Sequence, residues 1–257
     1  MVEEPHNSGN PLSPNKLAAA MGYLDGAARL LTTLVEGQEA AFDAAAEAIR
    51  RTISEDGLVY LFGTGHSHML AEEGHFRAGG LACVVPVLSS AVMLHESAVA
   101  STALERVGGV ADVVLSRYPI ASRDVLVVFS TSGVNAAPVE AAKHGRAAGA
   151  TVVAVTSKAY SRQAAAGRET LADVAPIVLD NRAPPGDASV TIAGAVRAGP
   201  LSTIAGAALL NALLVEASTR LAAEGVDPPV YVSANMPGAA ARNAALMSRY
   251  RNRNPHL

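Results

Sequence analysis

The chain has no tryptophan, a single cysteine, and only 4% aromatic residues. Cys83 stands alone, so no disulfide forms within the chain and stability must come from burial. With no secretion signal and no lipid-attachment motif, a cytoplasmic protein is expected. The 20 basic and 23 acidic side chains are scattered. Few aromatics and no basic stripe leave nothing to stack bases or track phosphates, so no nucleic-acid partner is expected. The one basic cluster, Arg249, Arg251 and Arg253, reads as a solvated end. Long apolar runs are missing too. The longest, Leu201 to Ala217, is interrupted by Asn211 and Glu216 and reads as too short and too polar to span a bilayer. Several ligand signatures also fail. There is no GxxxxGK[ST] phosphate loop. Gly63-x-Gly65 begins like a dinucleotide fingerprint, but His68 takes the third glycine position and the second strand ends without a ribose-binding acid. Met69 follows Gly65-His66-Ser67-His68, so there is no nucleophile elbow.

What remains is a chain of 257 residues, half of them hydrophobic. Residues 1–14, rich in Pro, Asn, Ser and Gly, read as a flexible leader. Residues 15–257 read as one domain that opens with a helical arm over about residues 16–55. In the arm Leu24, Ala28, Leu31, Val35, Ala41, Ala45 and Ile49 recur at helical spacing, with a slip near Gly37. That predicts two helices or one kinked helix. Strands are expected at Leu58–Phe62, Ala82–Val87, Val125–Ser130, Thr151–Val155 and Pro176–Leu179, with Pro229–Val232 as a candidate sixth. Helical patterns lie between them at Met69–Ala78, Leu94–Leu104, Ala137–Ala148 and, weakly, Ser161–Leu171. A long apolar helix follows at Ser202–Ala222. Near-continuous apolar strands alternating with helices imply an α/β fold. The expected architecture is a three-layer αβα sandwich around a parallel sheet of five strands, or six.

Two loops at predicted strand ends carry the chemistry. Gly63-Thr64-Gly65-His66-Ser67 follows the first strand, and Ser130-Thr131-Ser132-Gly133-Val134-Asn135 follows the third. Each places small residues and hydroxyls just before a helix, where free N–H groups and the positive dipole end favour an anion. Together they suit a phosphate without a lysine. The stretch "DVLVVFSTSGVNAAPVEAAKHGRAAGATVVAVTS" resembles the signature of the sugar isomerase (SIS) domain family: strand, Ser-x-Ser-Gly, helix, Gly-Ala, strand. The resemblance covers about residues 20–250. It is nearest to a phosphoheptose-isomerase-like subgroup with "GTGHSH", "GPLSTIAGAALLNALLVEA" and "SANMPGAAARN". It implies a flavodoxin-like SIS fold and a phosphorylated-sugar ligand. It also implies phosphate or sugar contacts from Gly65, His66, Ser67, Ser130, Thr131, Ser132, Asn135 and Ser202. Asn135 stands where many relatives carry Thr. The family also builds dimers or tetramers with sites near subunit contacts, so a homodimer or tetramer is expected.

The proton-transfer candidates flank the first loop. His68, Glu72 and His75 are spaced i, i+4, i+7 and would share one helix face. Their spacing is a poor match to zinc helices, and no metal or cofactor is expected. Glu73 and Arg77 are spaced for an ion pair, which leaves Glu72 as first candidate base and Glu73 as second. His95 and Glu96 would start another helix, and either of them or His68 is the candidate acid. Glu216, in an apolar helix, needs a partner or lines a site. Related isomerases and ether lyases carry a catalytic Glu near the position of Arg77, whereas the acids here fall about one turn earlier. The expected activity is removal of the C2 proton of an amino-sugar 6-phosphate, N-acetylglucosamine 6-phosphate or a 3-ether of it, with elimination at C3. A ketose–aldose isomerase and a non-catalytic sugar-phosphate sensor are the alternatives.

Overall fold

The structure is a computed structural model that describes residues 17–257, so the expected leader lies outside the described residues. The arm is two helices, α1 (Ala18–Thr33) and α2 (Glu39–Ser54). They are separated at the slip by a turn in which Gly37 takes φ +70°, a conformation costly for any residue with a Cβ. α2 buries Ala45, Ala46, Ile49 and Ile53 on one face, whereas α1 buries only Ala27.

The main sheet contains β1 (Val59–Gly63), β2 (Val84–Pro86), β3 (Val125–Phe129), β4 (Thr151–Thr156) and β5 (Ile177–Asp180), all parallel in the order β2-β1-β3-β4-β5. Val, Leu, Tyr and Phe fill β1 and β3 and every residue there is buried, as expected of a sheet covered on both faces. After β1 come the short α3 (His68–Gly74) and, beyond β2, α4 (Ala98–Leu104) and α5 (Val110–Leu115). α6 (Ala136–Ala147) follows β3, and α7 (Lys158–Ala164) and α8 (Leu171–Val174) follow β4. An exposed antiparallel hairpin, β6 (Val190–Ala193) and β7 (Val196–Ala198), leads into α9 (Ser202–Ala223), and α10 (Ala239–Tyr250) comes last. α9 is long and apolar enough by length and composition to cross a bilayer, contrary to the expectation above. Here it is a core helix that buries Leu209, Leu210, Leu213 and Leu214 and packs along α2 and α3.

The candidate sixth strand does not join the sheet. Pro229–Val232 makes one isolated antiparallel bridge, Val230 to Leu81, because Pro229 and the preceding Pro228 lack the N–H that a ladder needs. Because the order runs one way from β1 to β2 and the other way from β1 to β3, the sheet reverses between β1 and β3. Ligands of open α/β sheets bind in the crevice outside such a point.

Candidate functional site

Both predicted loops leave the sheet at this crevice. The β1 loop is shaped by Gly63, where a Cβ would lie 2.3 Å from the Ser67 carbonyl oxygen. Gly65 adopts φ +56° and the chain turns through a short 3-10 segment into α3. In the β3 loop Gly133 has φ +64°, and a Cβ there would come within 2.8 Å of Thr156 Oγ1. Its amide donates to Ser130 Oγ at 3.2 Å. Among the described residues, the amides of Ser132, Val134, Asn135 and Ala136 find no acceptor, leaving donors free where α6 begins.

A small recess gathers Ser67, Ser130, Thr131, Asn181, Ser202 and Thr203 from both loops, the end of β5 and the start of α9. The Ser67 hydroxyl caps nothing and is half-buried beside it. Asn181 is buried, donates to Thr131 Oγ1 at 3.4 Å, and accepts from the Ala183 amide at 3.1 Å. Ser202 is less free than expected. Its amide and that of Leu201 each donate to Asp187 Oδ1 at 2.9 Å, and its hydroxyl bonds Asp187 Oδ2. The Asp187 carboxylate thus occupies the N-terminus of α9 and engages the hydroxyl that was expected to contact the phosphate or sugar. His66 is exposed and stands off the cradle.

The two loops are joined by a residue the sequence reading missed. Glu105, just beyond α4, accepts from Thr64 Oγ1 at 2.7 Å and from Asn135 Nδ2 at 2.9 Å. Its side chain is 17% exposed, and Arg106 Nη1 lies 3.2 Å from the same carboxylate. Asn135 therefore spends its amide on Glu105 instead of capping α6. Nothing in "TALERVG" marks this acid as special, because its partners lie far away in sequence.

On the β2 side of α3, a cavity of about 500 Å³ is lined by Gly65, His68, Met69, Glu72, Met93, Leu94 and His95. His68 is buried, and its Nε2 accepts from the Ser89 amide at 3.4 Å. That assigns the proton to Nδ1, which faces Glu72 Oε1 at 3.3 Å. The contact is an electrostatic one, since the angle is too poor for Nδ1 to count as hydrogen-bonded. Burial holds the His68 pKa below its ordinary value, and the Glu72 carboxylate only partly offsets it. His68 is thus a neutral ring that orients Glu72, whose own carboxylate is half exposed.

The remaining candidates divide. His95 and Glu96 sit in the loop ahead of α4, which Ser97 caps through the Ala100 amide. They lie 3.9 Å apart and are mostly exposed, and His95 alone lines the cavity. Glu73 pairs with Arg77 as expected and also accepts from Asn211 Nδ2 at 3.2 Å. His75 does not share a face with His68 and Glu72, because α3 ends at Gly74 and His75 is extended, φ −90° and ψ 135°. Its Nε2 lies 3.4 Å from the His256 carbonyl. Glu216 is not at the site either. It pairs with Arg220 at 2.9 Å, in an ion network with Asp43 and Glu47 of α2. Fourteen residues of helix set it about 21 Å along α9 from Ser202. Among the described residues no cluster of His, Cys, Asp and Glu suits a metal ion.

Comparison with known proteins identifies the fold and the family. A UPF0309 protein of Brucella canis is 50% identical over 236 residues, 91% of this chain and 97% of that protein. One from Brucella ovis matches with the same identity and coverage. The solved structure of a phosphoheptose isomerase from Francisella tularensis superposes with a TM-score of 0.52, covering 79% of this chain and 98% of that one. At 17% identity that likeness is one of fold. The model of the SIS domain matches residues 22–157, spanning α2, the sheet strands β1 to β4 and both loops, and the chain belongs to the SIS domain family.

Proposed function

We propose that the protein is an enzyme acting on an N-acylated amino-sugar 6-phosphate, removing the C2 proton and eliminating the substituent at C3. The observation that carries this reading is the cavity beside the phosphate loops. It sets a carboxylate, Glu72, and an imidazole, His95, on a wall completed by Met69, Met93 and Leu94. A sugar phosphate bearing only hydroxyls has no use for such an apolar wall, whereas an acetamido methyl does. The phosphate would sit at the mouth of the small recess of Ser67, Ser130 and Thr131, with the free amides of Ser132 and Asn135 as further donors.

With the sugar ring open, Glu72 takes the C2 proton and the electron pair moves into an enolate on the C1 carbonyl. The pair then returns to form the C2–C3 double bond as the C3–O bond breaks. His95 or Glu96 protonates the departing oxygen, since hydroxide or alkoxide is a poor leaving group. The products are an unsaturated sugar phosphate and water, or the hydroxy compound of a 3-ether. Glu105 holds the two loops in register. The second reading is a ketose–aldose isomerase, favoured by the likeness in fold to a phosphoheptose isomerase. In that case the C2 proton returns at C1.

Incubation with N-acetylglucosamine 6-phosphate in deuterated water, followed by NMR, separates these outcomes. A new vinylic proton and loss of the C3–O bond are expected. Deuterium at C1 of a ketose would establish the isomerase instead. Tight binding with an unchanged spectrum across several 6-phosphosugars would leave only a sensor. Glu72→Gln should slow turnover by about 10²–10⁴-fold, the usual worth of a positioned base, with sugar-phosphate binding intact.

A further inference from the structure

A second cavity, of about 640 Å³, lies between α7 and α8. We propose that it is an anion-binding site for a phosphorylated small molecule, and that its occupancy is felt by the β3 loop. Its size falls in the range of small-ligand sites. Three cations line it: Lys158, half-buried at the start of α7, with Arg162 and Arg168, both exposed. Among the described residues none of the three lies within salt-bridge distance of a carboxylate. Arg162 and Arg168 instead donate to backbone carbonyls of their own turns, which holds the guanidinium groups in place. The one acid on the wall, Asp173, is already taken. Its Oδ2 accepts from the amide and the hydroxyl of Thr170 in a capping box, and those bonds keep its pKa low. Asp173 stays ionised and offsets one of the three cations, so the cavity carries a net positive charge, which suits an anion better than a neutral sugar. Ala165, Ala172 and Val178 complete the wall and leave room for an apolar or planar part of the ligand.

This cavity backs onto the crevice. Ser161, on its wall, is 2% exposed, and its hydroxyl has no hydrogen-bond partner. A methyl group on Gly133 would stand 3.3 Å from that oxygen. The backbone also connects the two sides. The Leu171 amide donates to the Gly133 carbonyl at 2.7 Å, and the Ser157 amide to the Thr131 carbonyl at 3.0 Å. A ligand that drew α7 and α8 together would load the β3 loop through these bonds. The coupling, though not the binding, rests on reading Ser130–Asn135 as the phosphate cradle.

The test is calorimetric titration of the full chain with inorganic pyrophosphate. Wild type, Lys158→Ala/Arg162→Ala, Arg162→Lys and Ser132→Ala are compared, each checked for native melting. A binding event kept in Ser132→Ala is expected. It should weaken at least about tenfold in the double variant, as loss of charged hydrogen bonds predicts, and be largely retained in Arg162→Lys. Saturating pyrophosphate should shift the Kd for N-acetylglucosamine 6-phosphate by about fivefold, and the double variant should abolish the shift. Loss of all pyrophosphate binding in Ser132→Ala would place the anion in the crevice and overturn the site, as would an event insensitive to the double variant. An unchanged sugar-phosphate Kd would overturn the coupling. Failure of the sugar phosphate to bind wild type would count against the cradle reading, while the pyrophosphate arm would still decide the cavity.

Discussion

Single residues at the crevice do different kinds of work. In the proposed reading Ser132 offers a hydroxyl and a free amide to an anion, while Glu105 is an acceptor that ties Thr64 to Asn135. Removing the first should be felt by the ligand and removing the second by the loops. Ser132→Ala deletes a donor to a charged group and should cost about 1.5–3 kcal/mol of sugar-phosphate affinity. Titration with N-acetylglucosamine 6-phosphate and with its unphosphorylated sugar checks this. Equal wild-type affinity for the two would remove the phosphate from the argument altogether. His68 illustrates a third role. The Ser89 amide holds its Nε2 and Nδ1 faces Glu72 without a hydrogen bond, so the ring acts on chemistry through the carboxylate it faces.

At the scale of elements, the β1 loop depends on a backbone approach that no side chain tolerates. Gly63→Ala would drive a methyl group into the Ser67 carbonyl, and neither side of that contact is a flexible side-chain end. The expected result is a loss of more than about 3 kcal/mol, in the range of the large single-site effects, with sugar-phosphate binding lost. Chemical denaturation measures it, and a change under about 0.5 kcal/mol, the size of an ordinary surface substitution, would show that the loop relaxes freely. The strands were legible because β-branched and aromatic runs such as VYLF and VLVVF have no other home than a covered sheet. Both loops were legible because glycine and hydroxyls stand where those runs end. The hairpin β6–β7 was not, since its strands are only four and three residues long and largely exposed. Nor was α10, where alanine and polar residues leave a weak stripe and only Ala239 and Tyr250 are buried. His75 was misplaced because spacing assumes a helix that continues, and Gly74 ends it. Glu105 and Asp187 were invisible for a different reason. Their roles come from partners 30 residues away or on another element, and local pattern does not report juxtaposition.

The whole molecule carries two further expectations. Burial lowers the pKa of His68, His75 and His256 below the ordinary 6.5, and all three are neutral in the fold. The unfolded chain then binds protons first as pH falls, so stability is complete above about 6.5 and declines from there toward the folded pKa values. Urea midpoints should drop between pH 7.5 and 5.5, and the drop should shrink in His256→Ala. Equal midpoints at both pH values would contradict it. The second expectation concerns assembly. α1 turns Leu17, Met21, Leu24 and Leu31 to solvent, and Val215 of α9 and Ile192 of β6 are exposed as well. α1 packs on both of those elements. A monomer gains nothing from such a surface, and a homodimer or tetramer is expected. A light-scattering mass of 26.2 kDa at micromolar concentration would rule that out.

The pairing of β1 with β3 also sets a timetable. Val59 lies against Val125, and α3, β2, α4 and α5 must be looped out between them before the ladder closes. Contacts of such long separation form late and slowly. During synthesis the first loop would leave the ribosome long before its companion, and Thr64 would wait for a partner, Glu105, that is also still to be made. The crevice is complete only when Asn181 after β5 and Ser202 and Thr203 of α9 have joined the two loops, so a chain truncated anywhere before α9 would lack part of the site.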